Sequence, residues 1–348
     1  MADIILLHAY KGRAKSVNLS NKKLSGVPNL VGKLSNVRIL DLKNNKIRSL
    51  PADFAAIRQL ETLNLGNNLL EELPAELCYL VNLKKLHLFA NNIITLCPRV
   101  LCCLQQLTFL NLNENMLTSL PPDIDRLVSL EFLSANKNKL RSVPDEICHL
   151  TNLSEIHLAD NFIESLPENI AFLRNLTRLV LYKNKITELP EGLSKCSKLE
   201  CLDVSCNLMK YFPVELHCLP LRELYCEGNN LLQHLPVHSE QEEEVLALKE
   251  ICSRFVLKAT KDKKSYLRVQ LREYPMIKEM LTYAMECPVC GNSFLNTWLE
   301  CVRFVDSKKG LGTKNSPGII PIRGLLCSYK CFNVEGHDYF GIAQLGEN

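Results

Sequence analysis

The sequence predicts an α/β solenoid of about ten stacked repeats, followed by a helical box and a small zinc-binding α+β module. Three observations indicate this fold class. A leucine-rich pattern recurs about every 23 residues, an amphipathic stretch follows at 247–256, and the tail carries two pairs of closely spaced cysteines. Since a single repeat cannot bury its own apolar side chains, neighbouring repeats must stack to form a core.

The repeats fit the template LxxLxLxxNxLxxLP, with other aliphatic residues allowed at the leucine positions. Four stretches follow it closely: 37–51, 60–74, 153–167 and 176–190. The fourth template position recurs in ten units, at Val17, Leu40, Leu63, Leu86, Leu110, Leu133, Ile156, Leu179, Leu202 and Leu224. The steps are 23 residues, apart from one of 24 and one of 22. This self-similarity predicts a leucine-rich-repeat solenoid.

Each repeat has a strand half and a return half. The LxL stretch predicts a short strand whose alternate side chains point into the core. The asparagine after it can hydrogen-bond the backbone where the chain leaves the strand, so we expect a stacked column of asparagines. Its members are Asn45, Asn68, Asn91, Asn115, Asn138, Asn161, Asn184 and Asn207.

A surface for binding is expected on the outward side of these strands. The residues on either side of the central strand leucine, and the residue three after it, form what we call the sheet face, on the concave side of the solenoid. In repeats four to eight, its aromatic residues are His87, Phe89, Phe109, Phe132, His157 and Tyr182. Such clusters are typical of protein-binding hot spots, although ordinary variation between repeats also produces them. No nucleophile–base–acid set is apparent, so we predict that the protein is not an enzyme.

Composition narrows the choice of partner and compartment. The 348 residues carry 41 basic and 38 acidic side chains. This balance does not favour binding to nucleic acid or to a membrane surface. The start of the chain lacks a span long enough to cross a bilayer. Cys78, Cys102 and Cys148 recur at one repeat register, which favours free thiols and a reducing compartment. We therefore expect a cytoplasmic protein, with the nucleus as a second location.

Four segments are expected along the chain: an N-terminal cap at 1–15, the solenoid at 16–238, a helical box and cap at 239–285, and a four-cysteine module at 286–348. Ser239 and Glu242 match a capping box, which predicts a helix from about Ser239 to Lys258. A second helical stretch, 265–285, contains Pro275, which should end or kink it.

The stretch 247–256, ALKEICSRFV, has one apolar helical face. Leu248, Cys252 and Val256 are spaced four apart, with Ile251 and Phe255 beside them. A helix that caps the open end of the solenoid would need such a face, and so would a helix that binds a partner.

Residues 247–271 resemble the elongin-binding box of the von Hippel–Lindau and suppressor-of-cytokine-signalling families. The resemblance implies that Leu248, Cys252 and Val256 insert into elongin C. It also implies that the chain is the substrate-recognition subunit of an elongin BC–cullin ubiquitin ligase, with a target protein on the sheet face. The LPxP signature usual for cullin-5 is absent, and Tyr274-Pro275 is at best a degenerate equivalent. The sequence therefore does not decide between cullin-2 and cullin-5, although it slightly favours cullin-2.

An alternative from another class also fits. In it the chain is a non-catalytic adaptor, like the Ras-pathway leucine-rich-repeat scaffolds, that binds a small GTPase or a phosphatase, and the 247–256 helix is only a solenoid cap. The chain as a whole resembles vertebrate leucine-rich repeat-containing proteins, most strongly in the repeats and in the tail ECPVCGNSFLNTWLECVRF. That resemblance implies a cytoplasmic, non-catalytic protein and identifies no target.

Cysteine spacing in the tail predicts a structural zinc site. Cys287 and Cys290 in CPVCG, with Cys327 and Cys331, supply four sulfurs for a closed tetrahedral site. The glycine after Cys290 permits a tight turn beneath the metal. The stretch between the pairs is longer than is common, so Cys301 and His337 remain possible substitute ligands, although core packing suits Cys301 better. A redox CxxC is disfavoured because no βαβ unit surrounds it.

Overall fold

The computed structural model describes residues 2–232, 246–262, 264–295, 298–313, 318–334 and 336–341. The chain divides into two compact units, Met1–Asn230 with Ser307–Gly318, and Leu231–Asp306 with Ile319–Asn348. The helical box and the cysteine-rich segment, expected as separate segments, therefore share one unit. The predicted capping box at Ser239 and Glu242 lies outside the described residues.

A ten-stranded parallel sheet forms the first unit, with its strands in chain order. The strands, β1 to β10, are Ser16–Asn18, Ile39–Asp41, Thr62–Asn64, Lys85–His87, Phe109–Asn111, Phe132–Ser134, Glu155–His157, Arg178–Val180, Cys201–Asp203 and Glu223–Tyr225. Their register places Val17 beside Leu40 and Leu40 beside Leu63, and it continues in the same way to Leu224. The predicted repeat solenoid is confirmed at its predicted register.

Short helices make up the return halves of the repeats. Most begin directly after a proline in extended conformation, such as Pro51, because proline fixes φ and needs no hydrogen-bond acceptor at a helix start. One is α-helical, α2 (Pro98–Cys103), and the others are 3-10 helices at Asn29–Lys33, Ala52–Ala56, Ala75–Tyr79, Pro122–Arg126, Asp145–His149, Glu168–Phe172, Glu191–Lys195 and Leu216–Cys218. The segment expected as an N-terminal cap contains α1 (Ala2–Lys11), whose Leu6 is fully buried.

The asparagine column is present and runs beside a core of aliphatic side chains. In the middle of the array, the Asn138 amide donates to the carbonyls of Leu112 and Ala135 at 3.0 and 3.1 Å. Its oxygen accepts the Leu117 N–H at 3.0 Å. Asn229, at the same offset from its strand, extends the column into the tenth repeat. The asparagines thus satisfy backbone groups that the turns would otherwise leave buried and unpaired.

Within the described residues, the second unit combines four helices with two small antiparallel sheets. Its elements are α3 (Leu248–Thr260), α4 (Tyr266–Gln270), α5 (Pro275–Thr282), β11 (Met285–Glu286), β12 (Ser293–Phe294), β13 (Leu299–Asp306), β14 (Ile319–Leu326), α7 (Tyr329–Phe332) and β15 (Tyr339–Gly341). A short α6 (Ser307–Gly310) follows β13 in the chain. β11 pairs with β12, and β13 lies between β14 and β15.

The helix boundaries differ from the prediction in one respect. The expectation of one helix from Ser239 to Lys258 is wrong, because Ala247 has extended backbone angles and α3 begins only at Leu248. The interruption at Pro275 is confirmed, since this proline is the first residue of α5. Across the part of the chain that the structure describes, no helix is both long and apolar enough to span a membrane.

Candidate binding surfaces and a four-cysteine cluster

Four aromatic rings form a continuous row on the sheet face, across strands β4 to β7. The rings of Phe109 and Phe132 are stacked, with centroids 4.4 Å apart and planes 5° from parallel. The His87 ring lies 4.8 Å from Phe109, and the His157 ring lies 5.1 Å from Phe132. We call His87, Phe109, Phe132 and His157 the aromatic row.

The strand register explains this row. Phe109 pairs directly with Phe132, whereas each histidine lies two residues further along its strand and approaches its phenylalanine diagonally. All four rings are half-buried, while the strand leucines between them point into the core. The row is therefore held rigidly and presents ring surface to solvent.

The other two predicted aromatic residues lie outside the row. The Phe89 ring packs on Gly66 so closely that a Cβ on that glycine would lie 2.2 Å from a ring carbon. Tyr182 has 41% of its surface exposed. Of the six residues predicted for this surface, the structure therefore joins four into one row.

Polar groups surround the aromatic row and are hydrogen-bonded to one another. The Asn113 oxygen accepts the Ser134 hydroxyl and the Asn136 N–H, both at 2.7 Å. His157 lies 3.0 Å from the Glu155 carboxylate. Burial and the neighbouring Lys85 ammonium lower the pKa of His87, so its neutral form is favoured. An aromatic centre with a satisfied polar rim is the arrangement of a protein-binding surface.

The apolar face of α3 points to solvent. Leu248 is 76% exposed and Phe255 67%, and Ile251 and Cys252 are also exposed, whereas Val256 is half-buried. All five residues of the predicted apolar face, which we assign to elongin binding, lie together on this helix, and four of them are exposed. We call Leu248, Ile251, Cys252, Phe255 and Val256 the α3 apolar face.

The polar side of α3 is the buried one. Glu250 is only 1% exposed, and its carboxylate accepts the Arg254 Nε–H at 2.6 Å and the Leu295 N–H at 3.1 Å. Ser253 is also buried, and its hydroxyl donates to the Lys249 carbonyl. Our sequence reasoning missed the role of Glu250. The signal available was its i,i+4 spacing from Arg254 on the side of the helix opposite Leu248.

Four cysteines from two distant segments meet in the second unit. The sulfurs of Cys287, Cys290, Cys327 and Cys331 all lie within 4.8 Å of one another. Cys327 is 3.5 Å from both Cys290 and Cys331, well beyond a disulfide bond of about 2.05 Å. Four convergent sulfurs at this spacing are a donor set suited to tetrahedral zinc.

The two substitute ligands lie elsewhere. The Cys301 thiol is fully buried on β13 and donates to the Gly324 carbonyl at 3.1 Å, in keeping with core packing. The His337 ring lies 2.6 Å from the Phe332 carbonyl oxygen. Neither belongs to the group of four convergent sulfurs.

The thiols of the cluster differ in acidity. Burial raises the pKa of Cys290, but the Asn292 backbone N–H and the neighbouring thiols outweigh it and lower this pKa to about 7. Burial and the contact with Cys290 raise the pKa of Cys327, and burial raises that of Cys331. Four adjacent thiols cannot all ionise without a cation to offset their repulsion.

Comparison with known proteins identifies the repeats. The model of the leucine rich repeat family matches residues 13–70, 58–117, 151–209 and 174–231, which together make up more than half of the chain. The match ends before α3, so the second unit lies outside it.

Individual relatives support the same assignment. Leucine-rich repeat-containing protein 69 of Xenopus laevis is 45% identical over 132 residues, and the human protein of that name is 42% identical over 125 residues. These matches span 38% and 36% of both this chain and the respective relative. The resemblance of the whole chain that the sequence analysis noted is to leucine-rich repeat-containing protein 58. The matches to protein 69 support only the leucine-rich-repeat character of the chain.

Solved structures share the repeat architecture. The protein LIC12759 of Leptospira interrogans, also a leucine-rich-repeat protein, superposes with a TM-score of 0.58 at 30% identity, covering 66% of this chain and 65% of the other. The receptor of the TLR13–ssRNA13 complex superposes with a TM-score of 0.57 at 27% identity, covering 67% of this chain and 35% of the receptor. In both cases about two thirds of this chain is covered.

Proposed function

The chain belongs to the leucine-rich repeat family, and from this premise we propose that it is the substrate-recognition subunit of an elongin BC–cullin ubiquitin ligase. The observation that carries the proposal is the reversed burial of α3. A helix normally turns its apolar side inward and its charged side to water. Here Leu248 is exposed and Glu250 is buried, as expected of a helix that docks its apolar face on another protein.

Elongin C is the proposed occupant of the α3 apolar face because of residue type and spacing. Leu248, Cys252 and Val256 match the residues that the elongin-binding family inserts into elongin C. A small cysteine at the middle position suits a shallow, tightly packed pocket in which leucine would clash. Elongin B and a cullin, cullin-2 or cullin-5, would complete the ligase.

The sheet face is the proposed binding surface for the target protein. Stacked phenylalanines are rigid and lose little side-chain entropy on binding, so they make effective anchors. The polar rim around them would fix the orientation of the target. Ubiquitin transfer would be carried out by other subunits, and this chain would supply no catalytic group.

The proposed setting is the cytoplasm, with the nucleus as a second location, and neither nucleic acid nor a membrane as partner. We also propose that the whole chain is related to vertebrate leucine-rich repeat-containing protein 58. An adaptor for a small GTPase or a phosphatase is the competing function, and it would need no elongin.

A pull-down tests the proposal. We expect the full chain to recover elongin B, elongin C and a cullin from cells. Leu248→Ala/Cys252→Ala should reduce that recovery at least about tenfold, because truncating anchor residues of an interface commonly costs more than 1.4 kcal/mol. Lys249→Ala/Lys258→Ala, which changes exposed residues of the same helix outside its apolar face, should recover them as the wild type does.

The circular dichroism of each variant shows whether it is folded. A folded wild-type chain that recovers neither elongin would rule out the ligase function and would favour the adaptor.

A further inference from the structure

We propose that Cys287, Cys290, Cys327 and Cys331 bind one zinc ion and that this site fixes the orientation of α3, so that zinc occupancy controls whether the α3 apolar face is presented. The site and its link to the helix are independent of any partner. The identity of the protein that docks on α3 rests on the function proposed above.

The separations between the sulfurs suit a tetrahedral zinc ion. A tetrahedral site with Zn–S bonds of about 2.3 Å places its sulfurs about 3.8 Å apart. Cys327 Sγ lies 3.5 Å from both Cys290 Sγ and Cys331 Sγ, close to this value, and all four sulfurs lie within 4.8 Å of one another. Three of the four cysteines are buried, as in a closed structural site.

The first cysteine pair lies on a turn shaped for a metal. The Gly291 N–H donates to the Cys287 carbonyl at 2.8 Å, and the Cys287 N–H donates to the Asn292 carbonyl at 2.9 Å. Gly291 adopts a φ of +68°, which residues with a Cβ rarely adopt. Cys327 directly follows β14 and Cys331 lies within α7, so an ion at the cluster would tie the turn to the three-stranded sheet.

Both ends of α3 are attached to the segment that carries the first cysteine pair. At the C-terminal end, the Lys261 ammonium donates to the Gly291 carbonyl at 2.8 Å and pairs with Glu286 at 2.8 Å. At the N-terminal end, Glu250 accepts the Leu295 N–H. The attachment points Glu286, Gly291 and Leu295 therefore lie within a stretch of ten residues that also contains Cys287 and Cys290.

Glu250 makes the stronger of the two attachments. Lys261 and Glu286 are about half exposed or more, and such pairs contribute little by themselves. Glu250 is buried, and a buried carboxylate is tolerated only while its hydrogen-bond donors stay in place. If the turn and β12 lose their fixed geometry, Glu250 must move to water, and α3 rotates or frays. Glu250 is thus the positioning residue between the metal site and the α3 apolar face.

Metal content and hydrogen exchange test the two steps on the full chain. We expect about one zinc per chain as purified, and Cys287→Ser should lose it. The same substitution should speed amide exchange in 248–260 at least about tenfold, because the helix loses its anchor. Cys218→Ser, which removes an exposed thiol from the first unit, should change neither reading.

Glu250→Ala, which removes the acceptor of the Leu295 N–H, separates the site from the link. It should keep the zinc but speed exchange in 248–260, and Lys261→Ala should do the same more weakly. A chain without zinc, or one whose four cysteines are found as disulfides, would overturn the site. A chain whose zinc can be chelated with no change in α3 exchange would overturn the link. If amide exchange in 248–260 depends on zinc in a chain that binds no elongin, the zinc site and its link to α3 are both supported. Only the proposed partner is then ruled out.

Discussion

Single residues in this protein show their role through burial more clearly than through type. Glu250 lies in LKE, a stretch that reads as exposed helix surface in sequence, and yet its carboxylate is buried and bonded to Arg254 and to the backbone of Leu295. His87 shows the converse case, an aromatic residue whose ionisation is limited by its place in the aromatic row. Its titration can be measured without knowing any partner.

His87 should titrate below the usual histidine value of about 6.5. Burial lowers its pKa and so does Lys85, while Asp41 acts in the opposite direction. Because the folded pKa is depressed, the stabilisation from neutral His87 is complete above about pH 6.5 and is lost as the pH falls through that value towards the folded pKa. A proton NMR titration checks this, and Lys85→Met should move the His87 pKa upward. A His87 pKa at or above 6.5 in the wild type would contradict the expectation.

Elements in the two units were predictable to different degrees. The repeat period fixes which leucine of each strand is buried, so β1 to β10 and the asparagine column follow from spacing. The residue before each column asparagine has a left-handed φ, between 52° and 57° from the second repeat to the ninth, although the residue types there include Ala90, Glu114 and Lys137. Stacking imposes that conformation, and no local preference reveals it. The α3 contacts were equally hidden, because they depend on β12, about 40 residues away.

Removing one column asparagine should destabilise the array far more than removing an exposed one. Asn138→Ala leaves the Leu117 N–H and the Leu112 and Ala135 carbonyls without this partner inside the core. We expect a loss of about 2–4 kcal/mol in the free energy of unfolding, measured with urea. Asn152→Ala removes an exposed amide that donates to the Val128 carbonyl, so it should cost less than about 1 kcal/mol. Equal losses in the two variants would show that the column is not a stabilising element.

At the scale of the whole molecule, two units carry two surfaces of different character. The first presents the aromatic row on a rigid sheet, and the second presents the α3 apolar face on a helix fixed to a cysteine cluster. Each surface is made by residues of one unit only. A receptor that joins a target to a ligase needs this separation, because either partner must bind without occupying the residues of the other.

Mutations in one of the two surfaces should therefore leave binding at the other surface unchanged. Phe109→Ala/Phe132→Ala removes the stacked centre of the aromatic row and changes no residue of the second unit. We expect this variant to recover elongins B and C as the wild type does, within about twofold, since changes at sites without shared partners are usually additive. Cells that carry it should accumulate the same proteins as cells lacking the chain altogether, which a comparison of protein abundances would show. Lys139→Ala, at an exposed position of the first unit, is the control and should leave abundances at wild-type levels. Restored wild-type abundances in cells with the double variant would place target recognition away from the aromatic row.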